Sequence, residues 1–415
     1  MRLKNTSKRF LTKKFYAYFK IGKGGMMKEE MRFPKSSFLR GLVFLFPLLI
    51  GLILSSCHTQ KPPPPDENHY DPRNISRTET DSYGPSIAVG PDGTVYVAWM
   101  DGGHGEYEKS HIYFRYKPQG GDWSDIEILS DTSVDSWAPH LACDPFGNVH
   151  LVWEEHDPDF EHAKIYYRMR KPSGEWTGIE VLSLGVALQP RIAVDPSGTV
   201  HVVWNSESEG TMKYREKALG GTWSQVETGP AYITNPAICA DAEGGVHVVF
   251  ESLNEEIFYL YRSPGGPWSE PVNVSESPQF YSWFANVTVS PEGYPYVLWT
   301  EGDSRVFYRK RIDTLWTEAD TIPGTRGHGK PRTKHLFFYG EKKYLLWGDG
   351  WFEIYLGQTE GELKDGLDVE MPFDPPGSPY PDAVIDEGKG VIHVVWSAQT
   401  EGGNWEVFYD VVSLK

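Results

Sequence analysis

Seven positions combine varied side-chain chemistry with regular spacing: Ser86, His140, Arg191, Ala237, Asn286, Arg332 and Asp382. Each stands one residue after the start of a repeated unit (Pro85, Pro139, Pro190, Pro236, Ala285, Pro331 and Pro381). Arg191 and Arg332 can each offer paired N–H donors to a carboxylate or sulfate. His140, Asn286 and Asp382 add donors and acceptors around them. The alternative is a water-filled channel whose lining residues pair among themselves, as Arg332 with Asp382.

Two further sets flank these positions. Aromatics enter just before the units: Tyr83, Trp137, Tyr281, Trp283 and Tyr380. Carboxylates follow the closing aromatic in five of the units: Asp101, Glu154, Glu155, Asp157, Asp159, Glu251, Glu301 and Asp349. Aromatic platforms beside carboxylates suit a sugar, whose C–H faces stack and whose hydroxyls donate. The plainer reading is an acidic rim with aromatics sealing the strand ends. If the chain hydrolyses a glycoside, Asp101 or Glu154 is the candidate acid. Carboxylate pairs are too common here to signal a glycosidase by themselves.

Metal chemistry is weakly supported. "EEHDPDFEH" (154–162) packs oxygen ligands closely but lacks D-x-D-x-D-G spacing, so a charged loop is preferred to a Ca²⁺ site. His150, His201, His247 and His393 recur three residues before the unit's aromatic, where Tyr96, Tyr296 and Tyr344 stand in other copies. Packed sheets lie about 10 Å apart, whereas zinc needs its nitrogens about 2 Å away. These histidines are therefore expected to pack between sheets. No metal and no cofactor is expected. G-x-S-x-G, H-E-x-x-H, P-loop and C-x-x-C motifs do not occur.

The elements that place these residues are written in a repeat. "LACDPFGNVHLVW" (141–153) and "IAVDPSGTVHVVW" (192–204) are two alternating runs around a Pro/Gly turn. The closing aromatic recurs at Trp99, Trp153, Trp204, Phe250, Trp299, Trp347 and Trp396. In five copies the unit starts 14 residues before it; from Pro331 and Pro381 the gap is 16 and 15. A third strand follows, as "IYFR" (112–115) or "IYYR" (165–168), then a fourth after turns such as "GGDWS" and "GGTWS". Repeats of this length with four short strands predict an all-β, seven-bladed β-propeller over residues 71–415. The last unit lacks a fourth strand. "DPRNIS" (71–76) resembles "EPVNVS" (270–275), so the N-terminal segment is expected to close the ring in blade seven. Blade six departs most from the motif.

The first 56 residues read as a leader. Lys35 and Arg40 precede an apolar run, "GLVFLFPLLIGLIL" (41–54), the layout of a signal peptide. Met31 makes a normal start for it. The run ends in "LSSC", which resembles the bacterial lipoprotein box and implies lipidation of Cys57. Residues 57–70 then form the lipidated cysteine and a stiff Pro-rich tether. An extracytoplasmic protein follows, held to the bacterial cell envelope by its lipid alone, with residue 58 (His) pointing to the outer membrane if the cell is Gram-negative.

Of 40 basic and 57 acidic residues, 12 and 2 leave with the leader, so the remainder carries net −27. That surface repels nucleic acid and anionic lipid. Cys143 and Cys239 fall in equivalent strands of non-neighbouring units, which favours free thiols. A monomer is expected.

The "GG-x-W-S" turns resemble a degraded Asp-box (BNR repeat) of the sialidase superfamily. The resemblance implies an arginine triad, a Tyr–Glu pair and an Asp acid in an active member. The F-R-I-P opening is absent, Ser86 stands where an arginine would be, and the resemblance implies six blades rather than seven. Three functions stay open: a non-catalytic propeller that binds a glycan or protein at its channel mouth, a sialidase-like hydrolase using Arg191 and Arg332, and an envelope scaffold.

Overall fold

Alternating apolar runs separated by tight turns form antiparallel sheets in order around a ring. The computed structural model describes residues 71–415, apart from 103–108, 132, 158–161, 208, 303–304, 326–330, 332, 350–352, 371–372, 374–379 and 415. The leader, Cys57, the tether and Arg332 lie outside the described residues.

Blade one is β1 (Asp81–Val89), β2 (Val95–Gly102), β3 (His111–Lys117) and β4 (Glu127–Ile128), and blade two is β5 (Asp135–Cys143), β6 (Val149–His156), β7 (Ala163–Arg170) and β8 (Glu180–Val181). Blade three is β9 (Ala187–Val194), β10 (Val200–Ser206), β11 (Thr211–Lys217) and β12 (Glu227–Ala231), and blade four is β13 (Ile233–Ala240), β14 (Val246–Ser252), β15 (Ile257–Arg262) and β16 (Val272–Asn273). Blade five is β17 (Ser282–Val289), β18 (Pro295–Glu301), β19 (Arg305–Ile312) and β20 (Leu315–Trp316), with β21 (Asp320–Thr321) also pairing with β19. Blade six is β22 (Lys334–Tyr339), β23 (Lys342–Gly348), β24 (Ile354–Thr359) and β25 (Asp368–Glu370). Blade seven is β26 (Asp382–Asp386), β27 (Val391–Gln399) and β28 (Trp405–Ser413). Among the described residues the one helical element is a 3-10 turn, Leu363–Asp365.

The first strand of every blade touches the first strand of the next, and β1 touches β26, so seven inner strands enclose an axis. The core is divided the same way. Seven apolar clusters each span one pair of adjacent blades, including the pair formed by blades seven and one. The repeated aromatic of the inner hairpin sits in these clusters, with Trp99, Trp153 and Trp299 fully buried.

The "GG-x-W-S" turn explains how blades lock. Trp223 of blade three meets Tyr167 of blade two edge-on at 4.9 Å, and Trp268 meets Tyr214 at 5.0 Å. Trp176 and Phe114, and Trp123 and Tyr409, repeat the contact at 5.0 Å. Edge-to-face geometry is the favoured one for such rings. The preceding "YR" arginine stiffens the turn: Arg115, Arg168 and Arg215 each donate Nε to a carbonyl just after the tryptophan, at 2.7 to 2.8 Å.

The expected fourth strand of blade seven is not among the elements: that sheet has three strands. Residues 71–78 meet β28 through an isolated bridge, Asn74 with Phe408. Ile75 N–H donates to Val407 O at 2.8 Å, as Leu129 does to Ile112 O and Leu182 to Ile165 O. Arg115 donates Nη1 to Ile75 O at 2.6 Å, and Arg168 and Arg215 make the same reach to Leu129 O and Leu182 O at 3.5 and 3.3 Å. The bonding of a fourth strand is there, but too briefly to form one.

The uneven unit lengths have a structural cause. In blades one to five the residue before the unit's start is left-handed: Gly84, Ala138, Gln189, Asn235 and Phe284, with φ of 55, 51, 58, 47 and 53°. Each marks a register shift in the inner hairpin. In blades six and seven, where the gap is 16 or 15, the paired residues Lys334–Tyr339 and Asp382–Asp386 show no register shift. A non-glycine residue there costs roughly 1–2 kcal/mol, so neighbouring blades must hold it.

Candidate functional site

The bulges are held by side chains from the preceding blade. Glu154 Oε2 accepts Gln189 N–H at 3.3 Å, and Glu251 Oε1 accepts Phe284 N–H at 2.6 Å. Gln189 and Asn235 then clasp one another, Nε2 to Oδ1 at 2.7 Å and N–H to Oε1 at 2.9 Å, and Asn235 Nδ2 donates to Glu251 at 3.0 Å. The strain at the mouth is thus distributed over blades two to five.

This changes the reading of the acidic residues. Six of them are not in a solvated rim: Asp101, Glu154, Glu155, Glu251, Glu301 and Asp349 are buried, while Asp157 is half-buried. The carboxylate two residues after the tryptophan accepts its indole N–H in blades one, two and five, at 3.3, 2.9 and 3.0 Å. The one just after it turns into the next blade. Asp101 also takes the hydroxyls of Thr78 and Ser82 at 2.6 and 2.5 Å, and that of Thr80. A buried carboxylate must be satisfied this way, so Asp101 and Glu154 are anchored groups. In the 154–162 loop, Asp157 binds His162 Nδ1 at 2.7 Å, and 158–161 lie outside the described residues.

Of the residues one after the unit start, Arg332 lies outside the described residues, and Ser86, His140, Asn286 and Asp382 each bond to the next blade. Asp382 Oδ2 accepts Ile87 N–H at 2.9 Å, Ser86 Oγ accepts Leu141 N–H at 3.1 Å, and His140 Nδ1 accepts Ile192 N–H at 3.4 Å. Each side chain therefore fastens the inner strand of the following blade. Asn286 donates to Lys334 O at 2.6 Å in the same sense. His335 Nε2 lies 3.4 Å from Asp382 Oδ1.

Arg191 differs. Its Nη1 donates at 2.8 Å to the carbonyl of Pro190, its own neighbour. Among the described residues no carboxylate stands within ion-pair distance of it; Asp382 and Glu154 act only across space. Burial pulls the His140 pKa down to about 3, and the charge of Arg191 adds to the effect. His140 is therefore a neutral acceptor beside a fixed cation.

Sequence reasoning missed Lys334 and His335. Lys334 is buried, donates to Phe284 O and Pro331 O at 2.8 and 2.9 Å, and burial holds its pKa well below the usual lysine range. Burial pushes the Glu251 carboxyl up to about 7. The legible signal was a lysine opening an otherwise apolar strand, "KHLFFY".

Of the aromatics expected at the mouth, Tyr83, Trp137 and Trp283 are half-buried and paired. The rings of Tyr83 and Trp405 lie 5.5 Å apart, Trp137 and His156 4.4 Å, and Trp283 and Tyr281 5.5 Å. Tyr281 and Tyr380 are exposed. The recurring histidines sit between sheets, each with Nδ1 at 2.7 or 2.8 Å from a tyrosine hydroxyl. Cys143 and Cys239 are free thiols.

The class defined is an all-β seven-bladed propeller, and a lectin and a polysaccharide lyase are among the similar solved structures. The BP39L lectin from Burkholderia pseudomallei matches with TM-score 0.61 and 12% identity, over 81% of this chain and 98% of the lectin. A protein of unknown function from Dyadobacter fermentans gives 0.56 and 15%, over 82% and 97%. The polysaccharide lyase Uly1 gives 0.55 and 11%, over 80% and 90%. At these identities the likeness is one of fold. No family model and no curated protein matches the sequence.

Proposed function

We propose that this chain is an envelope-tethered, non-catalytic propeller that binds an acidic glycan, or a protein carrying an equivalent acidic group, at its channel mouth. The observation that carries the reading is Arg191: a guanidinium on an inner strand, beside a neutral histidine, with no carboxylate within ion-pair distance among the described residues. A carboxylate or sulfate on the ligand would supply the missing partner through two N–H donors. Tyr281 and Tyr380, exposed just before the inner strands β17 and β26, would supply rings for stacking. Arg332 is the second cation in this reading. Fold alone assigns neither binding nor turnover. Against hydrolysis stand Asp101 and Glu154, which are committed to hydrogen bonds inside the blades.

The lipid on Cys57 and the tether of residues 58–70 would hold the ring off the membrane of a bacterial envelope, the outer one in a Gram-negative cell. A glycan array run beside a fluorogenic glycosidase panel tests the reading. Binding of acidic glycans without turnover supports it. Turnover that Asp101→Asn abolishes would replace it with the hydrolase, and a protein crosslinked to the ring without any glycan bound would replace it with the scaffold.

A further inference from the structure

A cavity of about 240 Å³ lies between blades three and four, at the turns joining their strands, lined by Asp195, Ser197, Thr199, His201, Glu216 and Arg262 among others. It holds on the order of eight waters at about 30 Å³ each. The flanking turns carry bulkier side chains. Phe146 of blade two stands where Ser197 stands in blade three, and its ring reaches to the blade-three turn at Gly198. Glu216 pairs with His201 across strands; the matching partners are Met169 for His150 and Tyr261 for His247. Tyr261 lies 4.9 Å from the His247 ring and occupies its notch.

Glu216 also resets a proton. Tyr214 donates its one hydroxyl hydrogen to Glu216 Oε2 at 2.6 Å. At 2.7 Å from Tyr214 Oη, His201 Nδ1 must then be the donor, because the oxygen has no second hydrogen. Neutral His201 is left with a bare lone pair on Nε2. That atom is buried, has no hydrogen-bond partner, and faces Asp195 Oδ2 at 3.5 Å, acceptor against acceptor. In blades two and four no carboxylate claims the tyrosine, and Nε2 meets its aspartate at 3.3 and 3.0 Å. In blade seven the distance is 3.9 Å and His393 Nε2 also lacks a partner, but there Lys389 sits 2.9 Å from Asp386 Oδ2, so that oxygen is already opposed by a cation. Asp195 Oδ1 already accepts from Ser197 and Thr199, so Oδ2 is the oxygen left for a ligand. Arg262 is spent on Glu227 through Nη1 at 2.9 Å, while its Nε has no partner.

We infer that this interblade notch is a second binding site, taking a neutral, hydroxyl-donating ligand: a free monosaccharide or a terminal sugar unit. The cleft offers two free acceptor atoms, His201 Nε2 and Asp195 Oδ2, and one free donor, Arg262 Nε. Hydroxyls, which both donate and accept, match that set, and the Asp195 carboxylate repels an anion at the acceptor side. The site is separate from the axis and does not depend on Arg191.

The test is titration of the purified full chain with glucose, galactose, mannose, fucose and N-acetylglucosamine at millimolar concentration. Calorimetry and nitrogen-15 histidine NMR follow the titration. His201 is expected to show the Nδ1–H form, unlike His150 and His247, and at least one sugar should shift its Nε2 resonance saturably. Ser197→Phe, which copies Phe146, and Glu216→Met, which copies Met169, should each weaken that sugar about tenfold or more. Arg191→Gln should leave it unchanged. The inference is overturned if His201 carries the same tautomer as His247, if no sugar saturates the signal and only water fills the notch, or if Glu216→Met binds as well as the unmodified chain.

Discussion

Ser86 donates its hydroxyl hydrogen to Asp382 at 3.0 Å, joining two residues 296 positions apart. The same oxygen accepts Leu141 N–H, so one small side chain links blade seven to blade one and blade one to blade two. The position that varies between repeats is therefore both mouth and fastener. Asp382, Ser86, His140 and Asn286 fasten; Arg191 alone among the described polar members bonds to its own strand instead of the next blade.

The N-terminal segment should behave as part of blade seven. Ile75 is buried among Val407, Trp99 and Val97, and Ser76 Oγ accepts Val407 N–H at 2.7 Å. Ile75→Ala is expected to lower unfolding free energy by about 2–5 kcal/mol, read by guanidinium denaturation. A change under about 0.5 kcal/mol would mean that the ring closes without this segment.

Glu406 gives stability a pH dependence. Burial raises its pKa from 4.5 to about 7, although Ser76 and Thr78 bond to it. A raised folded value means stability that is full below about pH 4.5 and lost as pH rises through about 7. Glu406→Gln keeps the bonds and removes the ionisation. It should stabilise the chain at pH 8, by at most on the order of 3 kcal/mol, and change little at pH 4.5. His393 has the opposite sign: burial lowers it to about 4, so its contribution is present above about 6.5 and fades as pH falls toward 4. His393→Gln should therefore flatten the acid side of the curve. Identical pH profiles for parent and variants would refute both assignments.

The blade-locking tryptophans differ in one bond. Trp176 Nε1 donates to Glu127 at 2.9 Å, whereas Trp223 Nε1 has no partner. Trp176→Phe should cost about 1 kcal/mol more than Trp223→Phe. Equal losses in denaturant would show that only ring packing matters.

Anchoring is tested at one atom. Cys57→Ser should release the chain from the membrane fraction or leave an uncleaved precursor. Normal fractionation and processing would remove the lipoprotein proposal.

The ring was legible because its period is written in side chains that cannot be replaced cheaply: a buried tryptophan, a Pro/Gly turn and a "GG-x-W-S" corner in most units. Even the bulges were present, as the 14-residue gap of five units against 16 and 15 in two. The site was less legible. Asp101 and Glu154 look alike in sequence to any exposed loop acid, and only the register of β2 and β6 turns them inward. Lys334 was missed because a single lysine in an apolar strand reads as an edge residue, whereas its amine satisfies two carbonyls made available by the neighbouring turn. His201 was read as packing, which holds for its ring; the role of its second nitrogen depends on Glu216, fifteen residues later and one strand away.

The most direct measurement is glycan binding by the parent chain and Arg191→Gln on one array, with thermal stability recorded for both. The account predicts that carboxylate- or sulfate-bearing glycans bind the parent, lose about tenfold or more in affinity with Arg191→Gln, and are not turned over, while the two chains melt alike. Unchanged binding of acidic glycans by Arg191→Gln, at equal stability, would contradict it.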